Sequence, residues 1–427
     1  MELKNLILLT GFLVLTGKLP AQDSVYVPNI KTPQLILAGN QLGYPILRLN
    51  SADQLDLAFD DLDADVKNYS YTFQLYNADW TPALVSEFDY LKGFSQINIT
   101  EYNLSSIAIT KYTHYRARLP DRNCVPIRSG NYVLRVFLNG DTSQVVFTRR
   151  FLVVDNQASI GAQLLQPLNP DISRTHQKIQ LTVNTRALNV TNAFQQVKVW
   201  ILQNNRWDNA IHDIQPSFFS GNTLQYNSDD AFIFPGGNEW RWVDLTGNFR
   251  YQSERVQRGS YGNSGTELFL KPDGDRSANP YYFYKDFDGK FYIQTTESIN
   301  PNWQTDYANV HFSFVPENHT PFLDKDVYVF GSLTGYALND STKMTFNAEK
   351  GAYQLALLLK QGYYNYSYIT VDQNNPDRPA SFAVTEGNHL ETENDYTILV
   401  YYRQLGGRSD ELVGFTKLNS LTATTTR

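Results

Sequence analysis

Tyr132-Val-Leu-Arg-Val-Phe-Leu138, then Asn139-Gly-Asp-Thr142, then Val145-Val-Phe-Thr-Arg-Arg-Phe-Leu-Val-Val154 is the stretch that decides the fold class. Its two long runs are dense in β-branched and aromatic residues, which pack well on a pleated surface. Asn139-Gly140 between them favours positive φ, the geometry of a tight hairpin. Upstream, Tyr69-Ser-Tyr-Thr-Phe-Gln-Leu-Tyr76 alternates aromatic or apolar with polar positions, the period-2 signature of a half-buried strand. Several such strands close together predict a β-sandwich. The composition points the same way, with 28 Tyr and 25 Phe against 2 Met, so the whole chain is expected to be all-β.

Working outward, Asp155-Asn156-Gln157 reads as a hinge that closes a first sandwich over 22–156. A second module, expected over 157–320, carries the alternating runs Lys178-Ile-Gln-Leu-Thr-Val183 and Gln196-Val-Lys-Val-Trp-Ile-Leu202. Within it, Gly259 to Ala278 is polar and Gly-rich and reads as a loop. A third module, 321–405, begins near Pro321 with Val327-Tyr-Val-Phe330. It continues through Gly351-Ala-Tyr-Gln-Leu-Ala-Leu-Leu-Leu359 and Gly362-Tyr-Tyr-Asn-Tyr-Ser-Tyr-Ile369. Residues 406–427 read as a C-terminal tail. The expectation is three β-sandwich modules in tandem.

The N-terminus reads as a cleavable signal peptide over 1–21. Lys4 precedes a short apolar core from Leu6 to Leu15, and Leu19-Pro20-Ala21 places a small residue before a cut ahead of Gln22. That core is too short to span a bilayer comfortably, so export without membrane insertion is expected. Cys124 is the single cysteine, which rules out an intramolecular disulfide. The formal net charge is −7, and it becomes −8 once Glu2, Lys4 and Lys18 leave with the presequence. An acidic chain lacks the basic footprint of a nucleic-acid binder.

The most distinctive short run is Phe234-Pro-Gly-Gly-Asn-Glu-Trp-Arg-Trp-Val-Asp-Leu245. Pro235-Gly236-Gly237 forces a turn. Beyond it, Trp240 and Trp242 fall on one strand face, and Glu239 and Arg241 on the other, where they are placed to pair. Asn238, Glu239, Trp240, Arg241 and Trp242 are candidate partner-binding residues, because clustered tryptophan and arginine often anchor interfaces. The competing reading is that the two rings fill a core. Asp60-Asp-Leu-Asp-Ala-Asp65 has oxygen ligands at alternate positions but lacks the glycine and closing glutamate of a calcium loop. Asp273-Gly274-Asp275 and Asp286-Phe-Asp-Gly289 fall short in the same way. His114, His176, His212, His311, His319 and His389 show no zinc-binding spacing, and no nucleophile elbow or phosphate loop occurs. No metal, cofactor or enzymatic activity is expected from these patterns.

The run 234–245 resembles a segment of the plug protein family of the Bacteroidota type IX secretion system, and the likeness extends over most of the mature chain. Ser129-Gly130-Asn131-Tyr132, following Arg116 and Arg118, is similar to the closing strands of immunoglobulin-like modules. In the third module, Gly331-Ser-Leu-Thr-Gly-Tyr336 resembles an element of early-set immunoglobulin-like domains related to glycogen-binding modules, with Tyr336 where that family has tryptophan. The plug resemblance implies a non-enzymatic periplasmic protein, peripherally associated with the outer membrane. It would occlude the periplasmic mouth of a giant outer-membrane β-barrel when no cargo is in transit, and Tyr336 joins the candidate partner-binding residues. Two other functions stay open on the residues alone. One is a carbohydrate-binding accessory protein of the cell envelope using Tyr336, Tyr363, Tyr364 and Tyr366; the other is a hydrolase with an inter-module site.

Overall fold

The computed structural model describes residues 23–249, 253–262, 265–375 and 380–423. The expected signal peptide over 1–21 and the cut before Gln22 lie outside the described residues. The chain is built almost wholly from strands, and three hydrophobic cores sort their sheets into three sandwiches.

The first sandwich follows the expectation from its central hairpin. Gly130–Leu138 pairs antiparallel with Val145–Val154 across Asn139 (φ +55°) and Gly140 (φ +72°). Tyr69–Tyr76 lies on the other side of Gly130–Leu138, followed by Ile97–Ile99. The facing sheet orders Ile30–Leu37, Leu55–Asp61, Thr113–Leu119 and Glu101–Leu104. Period-2 alternation sends Leu57 and Phe59 from one sheet and Leu134, Val136 and Phe147 from the other into one core.

The remaining sheets divide the chain differently from the boundaries expected at 320 and 405. The second sandwich begins with Ser159–Leu165, His176–Asn184, Thr223–Tyr226 and Ile233–Pro235. Its facing sheet pairs Val197–Gln203 with Asp395–Tyr402, and Asp395–Tyr402 in turn with Glu411–Asn419. The expected tail therefore contains a core strand, with Leu412 and Val413 fully buried. The third sandwich occupies the interval between the two halves of the second. One of its sheets joins Arg241–Asp244, Phe291–Ile293 and Lys325–Phe330 to Gly362–Asp372. The other runs from the hairpin Val256–Gly262 and Gly265–Leu270 through Tyr307–Val315 to Ala352–Lys360 and Thr345–Asn347. The stretch expected as a loop from Gly259 thus contains strands. Glycine and polar residues dominate there because Val256–Gly262 is an exposed edge, where apolar side chains would invite pairing with other chains.

The supposed hinge at 155–157 is also fastened. The amide of Asp155 donates to Leu412 O at 3.0 Å, and those of Gln157 and Ala158 to Val413 O at 2.8 Å. First and second sandwiches share a further apolar seam of Leu152, Val154, Trp200, Leu202, Leu399 and Tyr401.

Candidate functional site

The run 234–245 carries the chain out of the second sandwich and into the third. Ile233–Pro235 pairs with His176–Asn184, and only six residues later Arg241–Asp244 joins Gly362–Asp372. Gly236 is required at this crossing, since a Cβ there would sit 1.9 Å from His389 O. Gly237, at φ +68°, completes the turn.

The expected alternation holds, but the side chains it distributes are mostly buried. Trp240 is 4% exposed and stacks on Phe330 at 6.3 Å, with Phe382 and Tyr336 edge-on. Arg206, from the second sandwich, lies 4.7 Å above the Phe330 ring. Tyr336 is half-buried at φ +55° and packs against both Phe330 and Trp240. The structure thus brings together two expected site residues almost a hundred positions apart. Trp242 is half-buried and stacks on Tyr363 at 5.9 Å, while Arg255 covers it at 5.8 Å. Tyr364 and Tyr366 point into the third core.

Glu239 and Arg241 do not pair with each other. Arg241 donates to Glu386 at 3.0 Å, to Asp273 at 3.1 Å and to Gly274 O at 2.7 Å. Arg255 and Arg276 reinforce Asp273 and Glu386, and the hydroxyls of Tyr366 and Tyr368 both donate to Asp273 at 2.8 Å. Burial alone would raise the Glu386 carboxyl, but Arg241 and Arg276 outweigh it and hold it below the ordinary range. Asn238 donates to Glu386 O at 2.8 Å. Glu239, 1% exposed, accepts instead from the Tyr281 hydroxyl and from the Glu393 amide at 3.1 Å. The expectation failed because both partners of Arg241 lie far away in the chain.

A second buried cluster joins the first sandwich to the third. Asp60 meets Lys360, and both are 1% exposed. The Tyr307 hydroxyl donates to the same carboxylate at 2.6 Å, and His114 Nδ1 lies 2.6 Å from its other oxygen. The residue types are those of an acid–base centre, but their burial leaves a substrate no approach. Nothing local in the sequence signals this pair. Cys124 is fully buried, and burial together with Asp121 and Glu87 pushes its thiol up to about 12, the wrong direction for a nucleophile. In the dense run 60–65, Asp61, Asp63 and Asp65 close around Lys67, whose ammonium occupies the place of a cation.

Comparison with known proteins adds three findings. A family model described as "Type 9 secretion system plug protein 1st domain" matches residues 30–155, the span of the first sandwich. No curated protein matches. Among solved structures, a hypothetical protein from Parabacteroides merdae ATCC 43184 is 32% identical, with a TM-score of 0.89. The match covers 94% of this chain and 100% of that one. A Pseudomonas fluorescens alkylpurine DNA glycosylase bound to DNA matches with a TM-score of 0.18 at 12% identity over 29% of this chain and 30% of that one, too weak a likeness to bear on fold or function.

Proposed function

The chain belongs to the type IX secretion system plug protein family, and from that premise we propose that it is a non-enzymatic periplasmic plug. It covers the periplasmic mouth of a giant outer-membrane β-barrel translocon when no cargo is in transit. A barrel wide enough for folded cargo leaks unless a rigid body closes it, so a plug must resist flexing between its modules.

The observation that carries this reading is the Asp60–Lys360 pair, buried on both sides and joining residues 300 positions apart. It locks the first sandwich, the part that matches the family model, against the third. The apolar seam and the ring pair Trp80–Trp207, 4.9 Å apart and bridged by Arg150, do the same between the first sandwich and the second. The body is preformed, as rigid docking requires. Leu84, Phe88 and Phe94 project into solvent from the loop excursion between Tyr69–Tyr76 and Ile97–Ile99. They are stronger candidates for meeting the barrel than Glu239, Trp240 or Arg241, which are buried. Asn238, Trp242 and Tyr336 remain half-exposed candidates.

No observation favours the carbohydrate reading: the Tyr336 ring packs against Trp240, and Trp242 has Tyr363 stacked on its ring and Arg255 over it. For the hydrolase reading, Asp60 with His114 is sealed and offers a substrate no acid–base pair. The test is dye or antibiotic uptake in cells lacking the plug, the barrel, or both. A leak that appears on loss of the plug and vanishes on further loss of the barrel is expected. A leak that persists without the barrel defeats occlusion.

A further inference from the structure

Five carboxylates from three separate segments converge where the third sandwich joins the second. Side-chain oxygens of Glu239, Asp286 and Glu393 lie within 4.8 Å of one another, as do those of Asp288, Glu393 and Asp395. Glu393 belongs to both groups, so the two triads adjoin. They edge a cavity of about 250 Å³, lined in part by Asp286, Asp288 and Glu393, which gives an ion a route in. Glu239 Oε2 and Asp288 Oδ1 are buried without a hydrogen-bond partner, on residues 1% and 6% exposed. A buried carboxylate oxygen with nothing to accept from is costly and calls for a ligand.

We propose that Glu239, Asp286, Asp288, Glu393 and Asp395 form a binding site for a divalent cation, with Ca²⁺ the ion whose chemistry they match. All five ligands are hard oxygens, without histidine or cysteine, which suits Ca²⁺ over zinc or copper. Ca²⁺ also tolerates the irregular geometry of ligands drawn from separate loops. Several are already oriented. The amides of Trp240 and Asp288 donate to Asp286, the second at 2.7 Å, and Asn419 donates to both Glu393 and Asp395.

The charge balance agrees. Lys285, Lys290 and Lys417 are the cations facing the cluster. Acidic groups outnumber basic ones there, five to three, and a divalent cation would offset the excess. The contrast with 61–65 is instructive, since there Lys67 enters the acidic group itself. Here, among the described residues, no lysine forms an ion pair with any of the five.

The site would fasten both crossings between the sandwiches. Glu239 lies on the outgoing link just before Arg241–Asp244, Asp286 and Asp288 on a loop of the third sandwich, and Glu393 and Asp395 on the return. Local spacing at Asp286-Phe-Asp-Gly289 reads as too few ligands because the missing ones are supplied from 239 and from 393–395.

The test is calorimetric titration of the chelator-treated mature chain with Ca²⁺, together with thermal melts. A Kd of about 0.1–1 mM is expected, as for extracellular calcium modules. At ten times Kd the folded-to-unfolded ratio should rise about tenfold. Asp288→Asn should melt at or above the wild type without Ca²⁺, because it removes a buried charge, and should lose the Ca²⁺ response. Glu393→Gln, at a half-buried position, should lose it too. Absence of both heat and melting shift up to about 10 mM Ca²⁺ overturns the site, as does a shift that survives both substitutions or is matched by Mg²⁺ at equal concentration. Purified chain suffices, so a failure here leaves barrel occlusion untouched.

Discussion

Replacing Lys360 with methionine tests the link between the first and third sandwiches. The ammonium is within contact of Asp60, and neither residue is more than 1% exposed. Methionine keeps the length and the apolar stem, so the main loss is the charge. Asp60 would retain the Tyr307 hydroxyl and His114, each at 2.6 Å. Neither supplies a full counter-charge at neutral pH, because burial lowers the His114 pKa more than Asp60 raises it. Removing one partner of such a pair costs about 3–5 kcal/mol, chiefly as the penalty of the stranded charge. In Asp60→Asn/Lys360→Met the stranded charge is absent, so the double variant should be less destabilised than the two single losses summed, by about 1–3 kcal/mol. Acid should narrow the gap. Burial alone would raise the Asp60 carboxyl, but Lys360 and His114 outweigh it and hold its pKa below the unfolded value. That contribution is complete above the unfolded carboxylate pKa and is lost as pH falls through the folded one. In Lys360→Met burial dominates and raises the stranded carboxyl, so the wild-type advantage should begin to shrink above the ordinary carboxylate pKa and go on shrinking below about pH 4. Urea unfolding followed by circular dichroism, at pH 7 and across the acid range, measures all of this. A loss under about 1 kcal/mol for Lys360→Met, or strict additivity in the double variant, would refute the claim that this pair locks the modules.

Deleting 406–427 should abolish cooperative unfolding of the second sandwich, since it removes buried Leu412 and Val413 and the carbonyls that hold 155–158; dye binding to exposed apolar surface should rise, and a native-like melt would count against the interleaved arrangement. Trp240→Ala should cost about 3–5 kcal/mol in thermal melts, with binding to solubilised barrel unchanged at temperatures where the variant is folded. The opposite pattern would restore Trp240 as a partner anchor. Cys124 should resist thiol reagents in the native state and react on denaturation, and reductant should leave the monomer's melting temperature where it was, which mass spectrometry and calorimetry check directly.

Reading the sequence succeeded where the physics is local. Asn139-Gly140 and its flanking β-branched runs specify a hairpin through turn geometry alone, and the alternation around Trp240 distributes the side chains as expected. It failed where pairing partners lie far apart. Val197–Gln203 meets Asp395–Tyr402, and no periodicity in either strand encodes its neighbour, so sequence order alone assigns the last strands to the nearest module. The same distance hid the true partners of Arg241 and the carboxylates that complement Asp286 and Asp288. Gly259 to Ala278 misled for a different reason, since an exposed edge strand and a loop share one composition.

Placing the third sandwich between the halves of the second has a consequence for how the protein is made. The chain emerges N-terminus first, and His176–Asn184 with its sheet is present long before Asp395–Tyr402 and Glu411–Asn419 can cover it. The first and third sandwiches can close as they appear, whereas the second must wait for Asp395–Tyr402 and Glu411–Asn419. Its apolar face is open throughout that interval, a window in which holding factors or proteases can act. Closure of the second sandwich therefore reports that the chain has arrived as far as Glu411–Asn419. A product cut short anywhere before Asp395 keeps that face exposed and is distinguishable from the finished molecule by any system that recognises unfolded surface.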